Sequence, residues 1–76
     1  MLTKTKFEPV EMRVWSEGEA FTVYGIAAFY EDGRWYRCDD ISCYAEDVER
    51  LIRIMEENDT PYEDLPYIIE DFVNSF

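Results

Sequence analysis

With 76 residues, of which 47% are hydrophobic and 17% aromatic, the chain can build one hydrophobic core but not two domains. Its 18 acidic and 7 basic residues give a formal net charge of −11, which opposes binding to nucleic acid and to acidic membranes. We therefore expect a single domain over residues 1–76, with residues 1–6 as a flexible tail.

The first part of the chain has the pattern of a β-hairpin. Alternating apolar and polar residues predict a first strand over 9–16. The run over 20–30 is rich in aromatic and β-branched residues, which predicts a long second strand. Between them, Glu17 and Gly18 predict a tight two-residue turn.

A third strand is predicted over 34–40, after the pair Asp32 and Gly33. Asp-Gly favours a two-residue turn because both of its central positions require positive φ. The result is a three-stranded antiparallel meander. If the turn has two residues, counting along the strands places Phe29 opposite Tyr36.

Two helices are predicted after the strands. Apolar residues at helical spacing from Tyr44 to Met55 indicate an amphipathic helix, with Ser42 as its N-cap and an end near Asn58. The fold class expected from this order is α+β, a three-stranded antiparallel meander followed by two helices packed on one face (βββαα).

The start of the second helix is marked by prolines. Thr60, Pro61 and Glu63 predict a capping box with proline in the first helical position. Pro66 removes a backbone hydrogen bond, so we expect a short turn over 61–64 before the helix proper.

The register count also divides the strand side chains into two faces. One face, which includes Val14, Phe21 and Tyr36, is expected to form the floor under the helices. The other is expected to stay uncovered and to act as a protein interface, because tryptophan, tyrosine and arginine concentrate binding energy. The alternative is that these aromatics only pair across strands and shield the backbone. The predicted interface consists of Trp15, Tyr24, Ile26, Tyr30, Trp35 and Arg37.

The residues that most enzymes need are missing. The chain has no histidine, and its three separated glycines form no phosphate-binding loop. Cys38 and Cys43 are expected to be free thiols with a packing role, and adjacent carboxylates point in different directions. We therefore expect no catalytic residue, no metal site and no cofactor, and we predict that the protein is not an enzyme.

The acidic residues of the predicted helices are often three, four or seven positions apart. Carboxylates at such spacing on a rigid body resemble successive backbone phosphates, and this predicts an acidic partner-binding surface that mimics nucleic acid. The alternative is an ordinary solvated helix face. The residues of this predicted surface are Glu46, Glu49, Glu56, Glu57, Glu63, Glu70 and Asp71.

Two resemblances add to these patterns. Over about residues 22–74 the chain resembles a small uncharacterised family of Gram-positive bacteria and their mobile elements, a family that brings no known activity. Pro66 departs from the pattern of that family. In size, charge and element order the chain is also similar to small phage anti-CRISPR proteins that imitate DNA, a likeness that assigns no residue a role. The family resemblance lies in Tyr24–Ile26, Asp40–Ser42, Val48, Leu51 and 68–72.

The function expected from the sequence is a non-enzymatic acidic protein-binding module, a phage-type inhibitor of a basic nucleic-acid-handling protein. The alternative is a small bacterial structural or regulatory protein that homodimerises through its aromatic sheet face. The expected partner is a basic protein, with no direct contact to nucleic acid or membrane. We expect a cytoplasmic location, in the host cell if a phage encodes the protein.

Overall fold

The computed structural model describes residues 5–75 and contains three strands followed by two α-helices. The fold is therefore α+β, with the predicted order βββαα. The strands form one antiparallel sheet in the order β1-β2-β3. Their bounds are Lys6–Ser16 (β1), Glu19–Phe29 (β2) and Trp35–Ser42 (β3), and the helices are Ala45–Glu57 (α1) and Leu65–Asn74 (α2).

The hairpin of β1 and β2 has the predicted register. Met12 lies opposite Val23, and Val14 lies opposite Phe21. The turn residues Glu17 and Gly18 have φ values of 53° and 80°, as a two-residue hairpin turn requires. Strand β1 is longer than predicted and already includes Lys6, so the predicted tail is wrong at that residue, and residues 1–4 lie outside the described residues.

The turn between β2 and β3 differs from the prediction by one residue. The Gly33 N–H donates to the carbonyl of Tyr30 at 2.9 Å, and the Tyr30 N–H donates to the carbonyl of Arg34 at 2.9 Å. Only Gly33 of the Asp-Gly pair has positive φ, so the loop has three residues and not two. Consequently Phe29 lies opposite Trp35, and the predicted pairing with Tyr36 is wrong.

This one-residue shift moves every following side chain of β3 to the other face of the sheet, because strand side chains alternate. Tyr36 and Cys38 therefore lie on the same face as Ala28 and Ile26, their neighbours on β2. Both helices pack on this face, which we had expected to be the uncovered one. The core cluster is Phe7, Ile26, Ala28, Ile41, Val48, Leu51, Met55, Leu65 and Ile69.

An irregularity in the ladder of β2 and β3 lies at Gly25. Tyr24 pairs with Ser42 and Ile26 pairs with Cys38, so β3 advances by four residues between these pairs while β2 advances by two. The extra backbone of β3 passes directly over Gly25. A methyl group built at Gly25 overlaps the carbonyl oxygen of Cys38 and lies 2.6 Å from the carbonyl carbon of Asp39. Glycine at this position is therefore a steric requirement of the bulge.

Helix α1 begins two residues later than predicted from a cap at Ser42. Its N-cap position is Tyr44, which makes no side-chain capping bond. Ser42 still organises this end of the helix, because its hydroxyl accepts a hydrogen bond from the Tyr44 N–H at 3.1 Å and donates one to Asp47 at 2.7 Å. The predicted end near Asn58 is confirmed.

Helix α2 follows a single 3-10 turn at Tyr62–Asp64, as expected from Pro66. The predicted capping box is wrong: Pro61 occupies the N-cap position and Thr60 lies before it, buried. Within residues 5–75 the Thr60 hydroxyl has no hydrogen-bond partner. The Thr60 backbone carbonyl accepts a hydrogen bond of 2.8 Å from the Tyr30 hydroxyl. This bond connects the segment before α2 to the residue that follows β2.

Replacing Tyr30 with phenylalanine is expected to lower the free energy of unfolding by about 1 kcal/mol, because the buried Thr60 carbonyl loses its donor. Urea unfolding at neutral pH measures this loss. The exposed Tyr67 supplies the matched control, and its replacement by phenylalanine should leave the unfolding midpoint unchanged. A Tyr30→Phe midpoint equal to that of the wild type would contradict the described hydrogen bond.

The same variant is expected to change the response to alkaline pH. Burial raises the pKa of Tyr30 above its ordinary value of 10.0, although nearby Arg34 acts in the opposite direction. Folding therefore favours the neutral phenol, and this stabilisation is complete below pH 10 and is lost as pH rises through the folded-state pKa. The loss of stability above pH 10 should be smaller in Tyr30→Phe than in the wild type.

Candidate protein-binding surfaces

The predicted acidic residues of the helices all lie on the outside of the helical layer. All seven are exposed, and we call them the acidic helical surface: Glu46, Glu49, Glu56, Glu57, Glu63, Glu70 and Asp71. Residues 43–76 contain ten acidic and two basic residues, a net charge of −8. Most of the charge of the molecule is therefore on the helical side of the sheet.

The charge of α1 is not uniformly negative. Arg50 and Arg53 follow Glu46 and Glu49 by four positions, so both arginines share the solvent side of the helix with the acids. Arg50 lies 3.3 Å from Asp47 and also stands over the ring of Phe72 at 5.4 Å. The acids of α1 therefore form a mixed array in which two cations interrupt the anions.

Glu63 is the one member of the acidic helical surface that forms an ion pair within residues 5–75. Its partner is Arg34, at 3.2 Å, which also binds Asp32 at 2.8 Å and stacks 4.7 Å from the ring centre of Tyr62. A hydrogen bond from its own backbone N–H, and then the bond from Arg34, hold the pKa of Glu63 below its usual value. Glu63 is therefore partly neutralised before any partner arrives.

The predicted aromatic interface does not exist as one surface. Ile26 is 1% exposed and lies in the core, while Tyr24 and Tyr30 pack against the same core, so these three residues are wrongly assigned. Trp15 is on the helical side of the sheet but near the tip of the hairpin, where it is 73% exposed. Trp35 and Arg37 are exposed on the opposite side, so only these two share a surface.

The side of the sheet that faces away from the helices carries a different apolar patch. We call it the open face and define it by Met12, Val14, Phe21, Phe29 and Trp35. The two phenylalanines are 43% and 44% exposed, and Trp35 is 63% exposed. Val23 and Ala27 lie between them on β2; they are only 3% and 5% exposed, although they lie outside the core cluster.

Charged side chains border the open face in two opposite-sign pairs. Lys6 and Glu8 on β1 lie 2.9 Å apart, and Arg37 forms an ion pair with Asp39 on β3. Both pairs consist of residues two positions apart on one strand, which point to the same face. The border of the open face is therefore close to electrically neutral, in contrast to the helical side.

Sequence reasoning missed most of the open face because it placed Phe21 and Phe29 in the core. The length of the loop after β2 decides which face β3 presents to the helices. The sequence Tyr30-Glu31-Asp32-Gly33 fits the predicted two-residue turn, but it also fits a three-residue loop in which only Gly33 has positive φ. That three-residue loop places Trp35 opposite Phe29 and identifies the open face.

The two cysteines are free thiols in different surroundings. Cys38 packs against the core, and burial raises the pKa of its thiol above the ordinary value. Cys43 is exposed, so the expected packing role is wrong for this residue. A raised pKa lowers the thiolate fraction, which makes Cys38 a weak nucleophile at neutral pH.

A shallow groove of about 300 Å³ opens beside the first turn of α1. Its walls are mainly apolar and include Tyr24 and Val48, while Glu11 and Glu49 also line it. Apolar walls with acidic groups suit the aliphatic stem and the charged head of a lysine or arginine side chain.

Within residues 5–75 no three histidine, cysteine or carboxylate side chains are grouped as a metal site would require. None of the helices in that part of the chain has the length and apolarity needed to cross a membrane. Comparison of the chain with known protein families, with curated proteins and with solved structures finds no match.

Proposed function

We propose that this protein is a non-enzymatic, acidic protein-binding module that occupies the nucleic-acid-binding surface of a basic partner protein. The observation that carries the proposal is the exposure of all seven acids of the acidic helical surface on a helical layer with a net charge of −8. An anionic surface of this kind accelerates the encounter with a basic protein and repels nucleic acid from the same site.

The rigid arrangement of the acids distinguishes a mimic of nucleic acid from a merely acidic chain. Carboxylates three or four positions apart on a helix stand about 5 to 6 Å from each other. Val48, Leu51 and Met55 are buried on the inner side of α1, so Glu46 and Glu49 are held outward by the packing of the helix. Basic side chains that normally grip backbone phosphates could then bind these carboxylates.

The groove beside α1 gives this proposed contact a specific anchor. A lysine or arginine of the partner would place its stem against Tyr24 and Val48 and its charge near Glu11 and Glu49. Arg50 and Arg53 fit the proposal less well, because cations within the array lower its negative potential. Because the groove lies beside the first turn of α1, this end of the helix is the proposed centre of the contact.

The resemblance in size, acidity and element order to small phage anti-CRISPR proteins supports an inhibitor of this class. Such an inhibitor needs no catalytic group, only a surface that competes with nucleic acid for a basic site. On this proposal the protein acts inside the cell that contains its target, without binding nucleic acid itself.

Charge reversal on α1 and α2 is expected to weaken partner binding. The double variant Glu49→Lys, Glu70→Lys should lower the affinity of any bona fide partner at least roughly tenfold, since each change replaces an attraction by a repulsion. Partners would first be captured at low salt and identified by mass spectrometry. Titration calorimetry with each purified partner then gives the dissociation constants.

A matched control keeps the net charge of the double variant but moves it away from the helices. The variant Glu19→Lys, Glu31→Lys has the same charge change in the hairpin tip and the β2-β3 loop. It should bind partners almost as well as the wild type. Equal losses of affinity in both double variants would show that total charge, and not the acidic helical surface, decides binding. If duplex DNA does not compete with the protein for its partner, the mimic proposal is wrong.

The second candidate function is a small structural or regulatory protein that homodimerises through its sheet. The observation that favours it is the open face, which exposes Phe21, Phe29 and Trp35 to solvent on a 76-residue chain. Contiguous apolar patches on the surface of a soluble protein commonly mark an interaction site. The acids would then serve solubility.

A further inference from the structure

The open face is an apolar surface whose charges nearly cancel: its two border ion pairs are neutral, and Glu19 at the hairpin end of β2 leaves one negative charge. A second copy of this chain is an acidic molecule, so the helical side repels it strongly. A basic protein, by contrast, is attracted to the helical side and gains no charge contact at the open face. The charge distribution therefore favours a second copy over a basic protein as the occupant of the open face.

The register of the sheet makes the border of the open face complementary to itself. Glu8 on β1 and Arg37 on β3 both pair with Ala27 on β2, so they lie at one level on opposite borders of the sheet. Lys6 and Trp35 likewise both pair with Phe29. A two-fold axis parallel to β2 places β1 of one copy over β3 of the other without changing these levels.

Face-to-face docking about this axis brings Glu8 of each copy over Arg37 of the other. It also brings Lys6 over the ring of Trp35 in the second copy, an arrangement that favours a cation–π contact. The phenylalanines of β2 meet their own counterparts at the centre. A dimer with a two-fold axis requires a patch that complements itself, and the charged border of the open face has this property.

The extent and the charge of the molecule are compatible with such a dimer. At about 4.8 Å between strands and about 3.3 Å per residue, the three strands span roughly 500 Å² per copy before side-chain relief is counted. That lies below the range of about 600 to 1,000 Å² per partner that is typical of specific interfaces, and side-chain relief adds to it. The helical layers would lie roughly 30 Å apart, several Debye lengths at physiological ionic strength, so their repulsion is screened.

We propose that two copies of this chain associate through the open face, sheet against sheet, with Glu8 of one copy opposite Arg37 of the other. The helices lie on the two outer sides, where both acidic helical surfaces remain accessible. This inference rests on the second candidate function and specifies its interface.

Two tryptophans supply a matched pair of variants. Trp35→Ser changes the open face, and Trp15→Ser changes a comparably exposed tryptophan of β1 on the other side of the sheet. Sedimentation equilibrium of the full chain from micromolar to millimolar concentration should give twice the 9.1 kDa chain mass for the wild type and for Trp15→Ser. Trp35→Ser should sediment as a monomer while its circular dichroism stays that of the folded protein.

A charge exchange tests the proposed axis independently of the tryptophans. Glu8→Arg and Arg37→Glu should each weaken dimerisation roughly tenfold, and the double variant should recover most of the affinity. Within one copy Glu8 pairs with Lys6 and Arg37 pairs with Asp39, and no ion pair joins Glu8 to Arg37 in residues 5–75, so restoring an internal pair does not explain a recovery.

The outcomes separate the two levels of the proposal. A wild type that stays monomeric at millimolar concentration overturns both the homodimer function and the proposed interface. A dimer that survives Trp35→Ser leaves homodimerisation standing but overturns the open face, for example in favour of pairing through a free edge of the sheet, at β1 or β3. The third outcome is that Trp35→Ser is monomeric, but the double variant Glu8→Arg, Arg37→Glu dimerises no better than either single variant. This result overturns the two-fold axis along β2.

Discussion

Replacing Gly25 with alanine is expected to lower the free energy of unfolding by about 3 kcal/mol, a large part of the total for so small a domain. The added methyl group would overlap the Cys38 carbonyl oxygen and crowd the Asp39 backbone. Both atoms belong to β3, which pairs with β2 on each side of the bulge, so they cannot move without breaking the ladder. Urea unfolding followed by circular dichroism measures the loss.

Gly18→Ala provides the control for this prediction. It separates the loss of stability caused by steric overlap from the loss caused by backbone strain. A methyl group at Gly18 meets no atom within 4 Å, but its φ of 80° strains any other residue. Gly18→Ala should therefore cost only about 1 kcal/mol. If both variants unfold at the same urea concentration, the strand β3 does not pass over Gly25 as described.

The elements of this fold were predictable because local signals agreed with the tertiary structure. Glu17 and Gly18 both adopt the positive φ that their turn requires, which fixed the first hairpin. On α1 the residues at helical spacing, Val48, Leu51 and Met55, are the buried ones. Local turn chemistry and periodicity are sufficient for such elements.

The prediction of which sheet face packs against the helices was wrong. It depended on the length of one loop and on strand β2, which is apolar on both faces. Asp-Gly fits both a two-residue and a three-residue loop, and β3 changes face between them. On β2, Ile26 and Ala28 alternate with Ala27 and Phe29, so the period of two gave no preference for either side. The predicted interface therefore mixed core residues with Trp35.

The acidic helical surface was easier to predict than its ion pairs. The charged residues of an amphipathic helix lie on its solvent-facing side, and the exposure of Glu46, Glu49 and Glu70 follows from that rule. The pair of Glu63 and Arg34 joins residues 29 positions apart, so only the packing of α2 beside the β2-β3 loop brings them together. Such contacts have no local sequence signal.

Replacing Leu51 with alanine is expected to lower the free energy of unfolding by about 3 kcal/mol, because a fully buried side chain leaves a cavity. Leu51 lies on α1 in the core cluster with Ile26 of the sheet and Leu65 of α2, so the cavity forms where all three elements meet. Thermal and urea unfolding give the change directly. Leu51→Met keeps the volume and should cost less than about 1.5 kcal/mol.

The Leu51 variants also bear on the proposed binding surface, since α1 holds Glu46 and Glu49 outward only while its inner side is packed. Loss of helical circular dichroism in Leu51→Ala at temperatures where the wild type is folded should therefore coincide with loss of partner affinity. A Leu51→Ala protein as stable as Leu51→Met would contradict the packing of α1 on this face of the sheet. A destabilised variant that still binds its partner while α1 is unfolded would show that charge alone, without a fixed arrangement of carboxylates, carries the recognition.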